Sequence, residues 1–460
     1  MKNINYPSLL IGFGLFMFAA ILFLTGAQST LWNAIALGGL MIFFWVFEVI
    51  PIYVTALLPL ILGIPLGVLD KSQLASAYGD NNVYLFFGGF ILALGLEKWH
   101  VHEQVARRII GLVGQSKPRI LFGFLMSTGL LSMWISNTAT ALMMLPMAMA
   151  MVHALPKEEQ GGKFPVFLLL SVAYAASIGG VGTLIGSPPN TQMASILESS
   201  FGIQVDFFTW MKIGLPVAIT MLLACFALFY IGLGKERSEK QTHFHVERHP
   251  WTKIQKRVLT IFAVVVVLWS FKELILQWIG FTYRDESVAI LGGISLFLLP
   301  GENKKPLLDW KDTEKLPWGI LLLFGGGLAL ATMFEDNGVI EELSALFAQL
   351  NGTSYFVLLL IVIVGAVFAS EVLSNLAMVS IFTPLVAAFA LEYGLEITSL
   401  VIPLTLGASL AFMLPVGTPP NAIVFSSGLL KVNQMVRYGF ILNVIGIAIM
   451  FLFSLLILGE

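Results

Sequence analysis

The sequence predicts an all-α polytopic membrane protein made of two inverted-topology repeats, and three observations predict it. Of its 460 residues, 57% are hydrophobic and only 11% are charged, against about 25% charged in a soluble domain. The apolar residues form runs about as long as a membrane crossing. Three short motifs each occur twice, in the same order, roughly half a chain apart.

Runs at 8–27, 32–50, 52–69, 83–98, 165–198, 208–232, 258–279, 287–300, 316–334, 397–427 and 438–458 give about 11 transmembrane helices. Residues 1–31 hold the first, read as a retained helix and not as a cleaved signal peptide. Repeat 1 then covers 32–232, a basic loop 233–257, and repeat 2 258–458. Two further apolar segments, 120–155 and 355–391, do not fit this count. One crossing takes about 20 residues, so each is too short for two crossings and a turn. Each is expected to be a re-entrant hairpin with a polar tip, Ser136-Asn137-Thr138 in the first and Ser374-Asn375 in the second. Irregular backbone at that depth survives only where protein, water or ligand satisfies it.

Charge orients the chain. With Lys2 in the cytoplasm, the cytoplasmic segments hold 21 of the 25 Lys and Arg, and only Lys71, Lys212, Lys272 and Arg284 fall elsewhere. This bias predicts a cytoplasmic N-terminus and an outer C-terminus.

The repeat rests on three pairs. Leu85-Phe86-Phe87-Gly88-Gly89 matches Leu322-Leu323-Phe324-Gly325-Gly326, and Ser136-Asn137 matches Ser374-Asn375. Gly186-Ser187-Pro188-Pro189-Asn190 matches Gly417-Thr418-Pro419-Pro420-Asn421. The offsets are 237, 238 and 231 residues. Three collinear matches establish an internal duplication. Five crossings per unit invert the second copy, the architecture of secondary transporters with a midplane site between the copies.

The Pro-Pro motifs interrupt the spans 165–198 and 397–427. Adjacent prolines remove two backbone donors and disfavour helix in the residue before them, so each helix breaks and restarts there. A break frees carbonyls for a hard cation, and a restarted helix turns its positive end to an anion. The hairpin tips offer Ser and Thr hydroxyls and Asn amides, acceptors for a cation and donors for an oxyanion. Ser132 precedes Ser136 by four residues, and Ser370 precedes Ser374 by the same spacing.

Neither the hairpins nor the broken spans contain Lys or Arg, and neither offers an acidic cage. Sodium held by neutral oxygens beside an anion resolves both facts. Glu48 and Glu371 are the intramembrane acids that could carry a proton instead. Glu48 is near an interface and reads as structural, whereas Glu371 is split between supporting the second tip and coupling. His243, His245 and His249 read as a solvated loop, and His100 to Arg119 as an interfacial amphipathic helix. A single cysteine, Cys225, excludes a disulfide framework. No Walker motif, soluble domain or basic patch points to ATP or nucleic acid.

These residues resemble the divalent anion/sodium symporter family, which carries dicarboxylates, citrate and sulfate. The resemblance rests on the paired hairpin tips, the paired Pro-Pro breaks, and Glu48-Val49-Ile50-Pro51 followed by Val54-Thr55-Ala56-Leu57-Leu58-Pro59. It implies an elevator-type homodimer in lipid, in a bacterial inner membrane, with Na+ as the coupling ion. It places one sodium near Ser132, Ser136, Asn137 and Gly186, and the other near Ser370, Leu373, Asn375 and Gly417. It places the anion against Asn137, Thr138, Ser187 and Pro188 from one half, and Ser374, Asn375, Leu376, Thr418 and Pro419 from the other. The family's second tip usually ends in Thr, so Leu376 departs from the pattern and bears on which anion fits. A sodium-independent exchanger of the same fold and an anion channel remain alternatives. An intramembrane enzyme does not, because the core has no nucleophile–base set.

Overall fold

The structure is a computed structural model that describes residues 6–25, 29–114, 116–238, 250–272, 274–275, 283–347 and 354–457. The His243, His245 and His249 loop lies outside these residues. Repeat 1 follows α1 (Tyr6–Thr25) and runs through α2 (Thr30–Val46), α3 (Ile52–Thr55), α4 (Leu58–Leu62), α5 (Lys71–Tyr78), α6 (Asn81–Lys98), α7 (Val101–Val113), α8 (Lys117–Ser132), α9 (Asn137–His153), α10 (Lys163–Val181), α11 (Pro188–Phe201) and α12 (Phe207–Leu233). Repeat 2 runs through α13 (Lys253–Ser270), α14 (Asp285–Leu298), α15 (Trp318–Asp336), α16 (Val339–Phe347), α17 (Tyr355–Ala369), α18 (Asn375–Glu392), α19 (Ile397–Ala408), α20 (Pro419–Phe425) and α21 (Val432–Ile457).

Helices form where the apolar runs predicted them, with two exceptions. The run 52–69 is not one helix but two short ones, α3 and α4, followed by turns. Pro51, Pro59, Gly63, Pro65 and Gly67 supply the breaks. The expected helix from His100 to Arg119 ends at Val113, where Gly114 takes φ 101°. Outside the predicted runs, α5 forms behind an Asp70–Gln73 capping box, and α16 fills the link before the second hairpin.

The helices sort into two groups. In the outer group, α6 packs along α14 and α15 packs on α2 to α5. The equivalent helices α6 and α15 meet through Phe86 and Phe324, whose rings are 5.0 Å apart. In the inner group, α10 is buried along its whole length against α8, α9, α12 and α20. Its counterpart α19 packs in the same way on α17, α18 and α21. The second arms of both hairpins carry a proline at the same register, Pro146 and Pro384. Large apolar side chains such as Phe16, Phe23, Ile231, Leu298 and Leu456 face outward. In a bilayer that surface is the matched one.

Close backbone approach sets where the first hairpin sits. A Cβ on Gly179 of α10 would run into the Gly129 carbonyl of α8. Gly365 of α17 has nothing within 4 Å of such an atom. Gly179→Val should therefore lower the thermal unfolding midpoint in detergent by several degrees, from an overpacking cost of ~1–3 kcal/mol. Gly365→Ala should leave the midpoint unchanged or raise it slightly.

Candidate functional site

The first break begins where α10 ends at Val181, and six residues pass before α11. Asn190, in the first turn of α11, closes it. Its Nδ2 donates to Gly180 O (2.9 Å) and Thr183 O (2.8 Å). Thr191 Oγ1 donates to Leu184 O (2.7 Å), and Trp210 Nε1 of α12 to Val181 O (2.9 Å). The Thr183 hydroxyl donates to Met133 O and accepts from Gly186 N (3.0 Å), tying the break to the first hairpin tip.

At that tip, Ser132 ends α8 and Asn137 begins α9. Ser132 Oγ donates to Ala176 O on α10 (2.6 Å). With its amide oriented to suit its neighbours, Asn137 Nδ2 donates to Ser132 Oγ (2.7 Å), Ala176 O (3.1 Å) and Gly186 O (3.3 Å). A Cβ on Gly180 would collide with this amide, so only glycine lets it lie there. Ser136 caps α9, its Oγ accepting from Ala139 N (3.2 Å). Around Gly186, a Cβ position would have Gly180 O at 2.7 Å, Met133 O at 2.9 Å and Thr183 Oγ1 at 3.1 Å. Ser132, Ser136, Asn137 and Gly186 thus come together, in a patch of neutral oxygens. Thr138 stands half-buried beside them, Ser187 is buried, and Pro188 opens α11.

The second half repeats the plan and then departs from it. Asn421 Nδ2 donates to Ala411 O (3.0 Å) and Leu414 O (2.9 Å). These three residues stand 231 after Asn190, Gly180 and Thr183. Thr418 caps α20, Pro419 is exposed, and Gly417 lies beside Leu414 O. Ser370, however, donates to Val367 O (2.9 Å) on its own helix. Asn375 Oδ1 is buried and accepts no hydrogen bond among the described residues. Ser374 and Leu373 form the half-buried tip. Leu376 is buried in an apolar cluster with Leu37 and Met41 of α2 and Leu330 of α15.

The two halves interlock crosswise. The restarted helix α11 of repeat 1 packs on hairpin arm α18 of repeat 2, and α20 of repeat 2 packs on arm α9 of repeat 1. Each break therefore stands beside the other repeat's hairpin. At the edge of this region, Asn82 Nδ2 donates to Glu198 Oε2 (3.2 Å) and Ser195 Oγ to Asp80 Oδ1 (3.3 Å), linking α6 to α11. Burial, with a contribution from the Glu198 carboxylate, pushes the Asp80 carboxyl above its ordinary range against the Asn82 and Ser195 donors.

Sequence reasoning missed the closing role of Asn190 and Asn421, although both ended the motif it used. It singled out Glu371 without its partners. That carboxylate accepts from Phe412 N (2.8 Å), Met413 N (2.9 Å), Leu414 N (3.0 Å) and Asn443 Nδ2 (2.8 Å).

Two broken helices, each set against a hairpin of the opposite repeat inside an apolar helical body, define a polytopic membrane transporter. Comparison with known proteins makes that specific. Residues 42–398 match the citrate transporter family. The chain is 37% identical over 428 residues to the sodium-dependent dicarboxylate transporter SdcS of Staphylococcus saprophyticus, covering 89% of this chain and 82% of that one. It is 37% identical over 430 residues to SdcS of Staphylococcus aureus, with the same shares covered. The fold is shared with the YdaH transporter of Alcanivorax borkumensis (TM-score 0.62, 12% identity, 85% of this chain and 90% of that one). Neisseria gonorrhoeae MtrF shares it also (TM-score 0.60, 13% identity, 83% of each). The chain belongs to the divalent anion/sodium symporter family, and it is an integral membrane transporter and not an enzyme.

Asn190→Leu strips two buried carbonyls of their donor and Asn421→Leu one buried and one part-buried carbonyl, at ~1–3 kcal/mol per unsatisfied group. Both should lower the unfolding midpoint by several degrees and by similar amounts. A shift below one degree in either would show that the break does not depend on its asparagine.

Proposed function

We propose that this protein is a sodium-coupled secondary transporter of dicarboxylates or similar divalent anions, working as an elevator-type homodimer in a bacterial inner membrane. The observation that carries this reading is the crosswise packing of each restarted helix on the opposite hairpin. Each restarted helix lies on the other repeat's hairpin arm, and neither the hairpins nor the broken spans contain Lys or Arg. The named relatives, sodium-dependent dicarboxylate transporters, supply the substrate class and the ion.

The donor sets fit sodium. Hydroxyl and carbonyl oxygens of Ser132, Ser136 and Gly186 form one neutral set, the ligand type a hard cation takes, and Asn137 joins it when its amide turns Oδ1 inward in place of Nδ2. Ser370, Leu373, Asn375 and Gly417 form the other, where the unbonded Asn375 Oδ1 awaits a partner. A dianion between them draws its positive charge from the two sodium ions and from N–H groups at the starts of α9, α11 and α18. Asn137, Thr138, Ser187 and Pro188 would meet it from one side, and Ser374, Asn375, Thr418 and Pro419 from the other. Leu376 contributes its backbone, since its side chain lies in the apolar cluster. Coupling follows because the anion is poorly held until sodium has neutralised the site.

The moving part in this reading is the inner group, α8–α12 and α17–α21, sliding against the outer one. Such sliding would have to break the links that cross between the groups, among them Phe207 N to Asp285 (3.0 Å), Asn82 to Glu198 and Ser195 to Asp80. The charge bias sets the N-terminus in the cytoplasm and the C-terminus outside.

In proteoliposomes, succinate uptake should require an inward sodium gradient and fall to background when potassium replaces sodium. Undiminished uptake in potassium, without internal counter-substrate, would instead favour the exchanger. Asn137→Ala and Asn375→Ala should each cut uptake at least tenfold. Leu376→Thr should lower stability by ~1–3 kcal/mol, the cost of a buried unpaired hydroxyl, without tightening succinate binding. Tighter binding in a thermal-shift titration would place position 376 in contact with substrate.

A further inference from the structure

The two repeats differ at one position that matters to a cation. Glu371 stands 238 residues after Met133, so the second hairpin carries a carboxylate where the first has a thioether. Glu371 is 4% exposed, and no Lys or Arg occurs anywhere from Tyr355 to Leu430. Its oxygens receive four donors, the three consecutive N–H groups of residues 412–414 and the Asn443 amide of α21. Both of its oxygens therefore serve as acceptors, Oε1 for three of the donors and Oε2 for one.

Those three N–H groups explain a difference in backbone. At the 231-residue offset, the end of α10 at Val181 corresponds to Phe412, yet α19 stops at Ala408, one turn earlier. In a continued helix the N–H groups of 412–414 would donate to the carbonyls of 408–410. Glu371 takes them instead and so releases those carbonyls from the ladder. Its Oε2 also lies 3.1 Å from where a Gly417 Cβ would stand, with Leu414 O at 3.3 Å. At the equivalent Gly186 the three nearest atoms are uncharged oxygens.

We propose that Glu371 is a positioning residue that makes the second cation site an anionic one and the first a neutral one. It turns three N–H dipoles away from the ion, holds the break open by a helical turn, and places a full negative charge at its edge. The two sodium sites then differ in strength, and the second is the one that fills at lower sodium. This inference rests on the sodium-coupled reading given above.

The test is a sodium titration of the thermal unfolding midpoint of the purified full chain, without anion, at constant ionic strength with potassium. A cation that binds the folded state raises the midpoint with its concentration. Glu371→Gln, which keeps the shape and removes the charge, should need at least tenfold more sodium for the same rise. Asn443→Leu, which removes a donor and keeps the charge, should stay within threefold of the wild type. A wild-type response in Glu371→Gln, or equal weakening in both variants, would overturn the proposal, the latter by showing that Glu371 only braces the fold. If Glu371→Gln does not fold, Glu371→Asp and Asn443→Leu decide, because both keep the charge. Each must then retain its sodium response within threefold, and a larger loss in either overturns the proposal. A wild-type chain with no sodium-dependent rise would refute sodium coupling itself and is thereby distinguished from failure at Glu371.

Discussion

A backbone that breaks inside hydrocarbon leaves N–H and C=O groups with no water to receive them, each at a cost of several kcal/mol. The inner helices are organised around meeting that demand. Asn190 and Asn421 do it with the same two bonds in each repeat, to carbonyls seven and ten residues back along the chain. The first break adds Thr183, bonded to the hairpin tip at Met133. The second adds the Glu371 carboxylate. Each break is therefore fastened to its own hairpin, and the pair behaves as one unit.

That fastening also explains why polar groups are left over where they are. Once Asn190 and Asn421 have spent their Nδ2 donors on the loops, their Oδ1 atoms are buried without a partner among the described residues, as is Asn375 Oδ1. Acceptors of this kind, close to glycines that admit no side chain, suit a small cation better than an empty space. The seven-residue α20 is too short to present a strong dipole. The first break restarts in the longer, 14-residue α11. The two halves are alike in outline, and only the second sets a carboxylate against its break.

Much of this was legible in the chain. The apolar runs, the paired tips and the Pro-Pro motifs are local signals, and each acts through the residues next to it. Proline breaks the helix it sits in, and Ser136 caps the helix it precedes. The run 52–69 misled because apolarity outweighed its four Pro and Gly residues and Pro51 just before it. The α5 and α16 helices were missed because short amphipathic segments leave no long apolar trace.

The sequence alone determined that there are two copies, where their helices break, and that the core has no basic side chain, because those are facts of composition and near neighbours. Only the tertiary structure decided which groups close the breaks, since Glu371 meets residues 41 to 72 positions away. It also decided that Leu376 faces an apolar cluster and that each restarted helix lies on the other repeat's hairpin. Those outcomes depend on how the two halves pack, and no local rule of helix or turn contains that information.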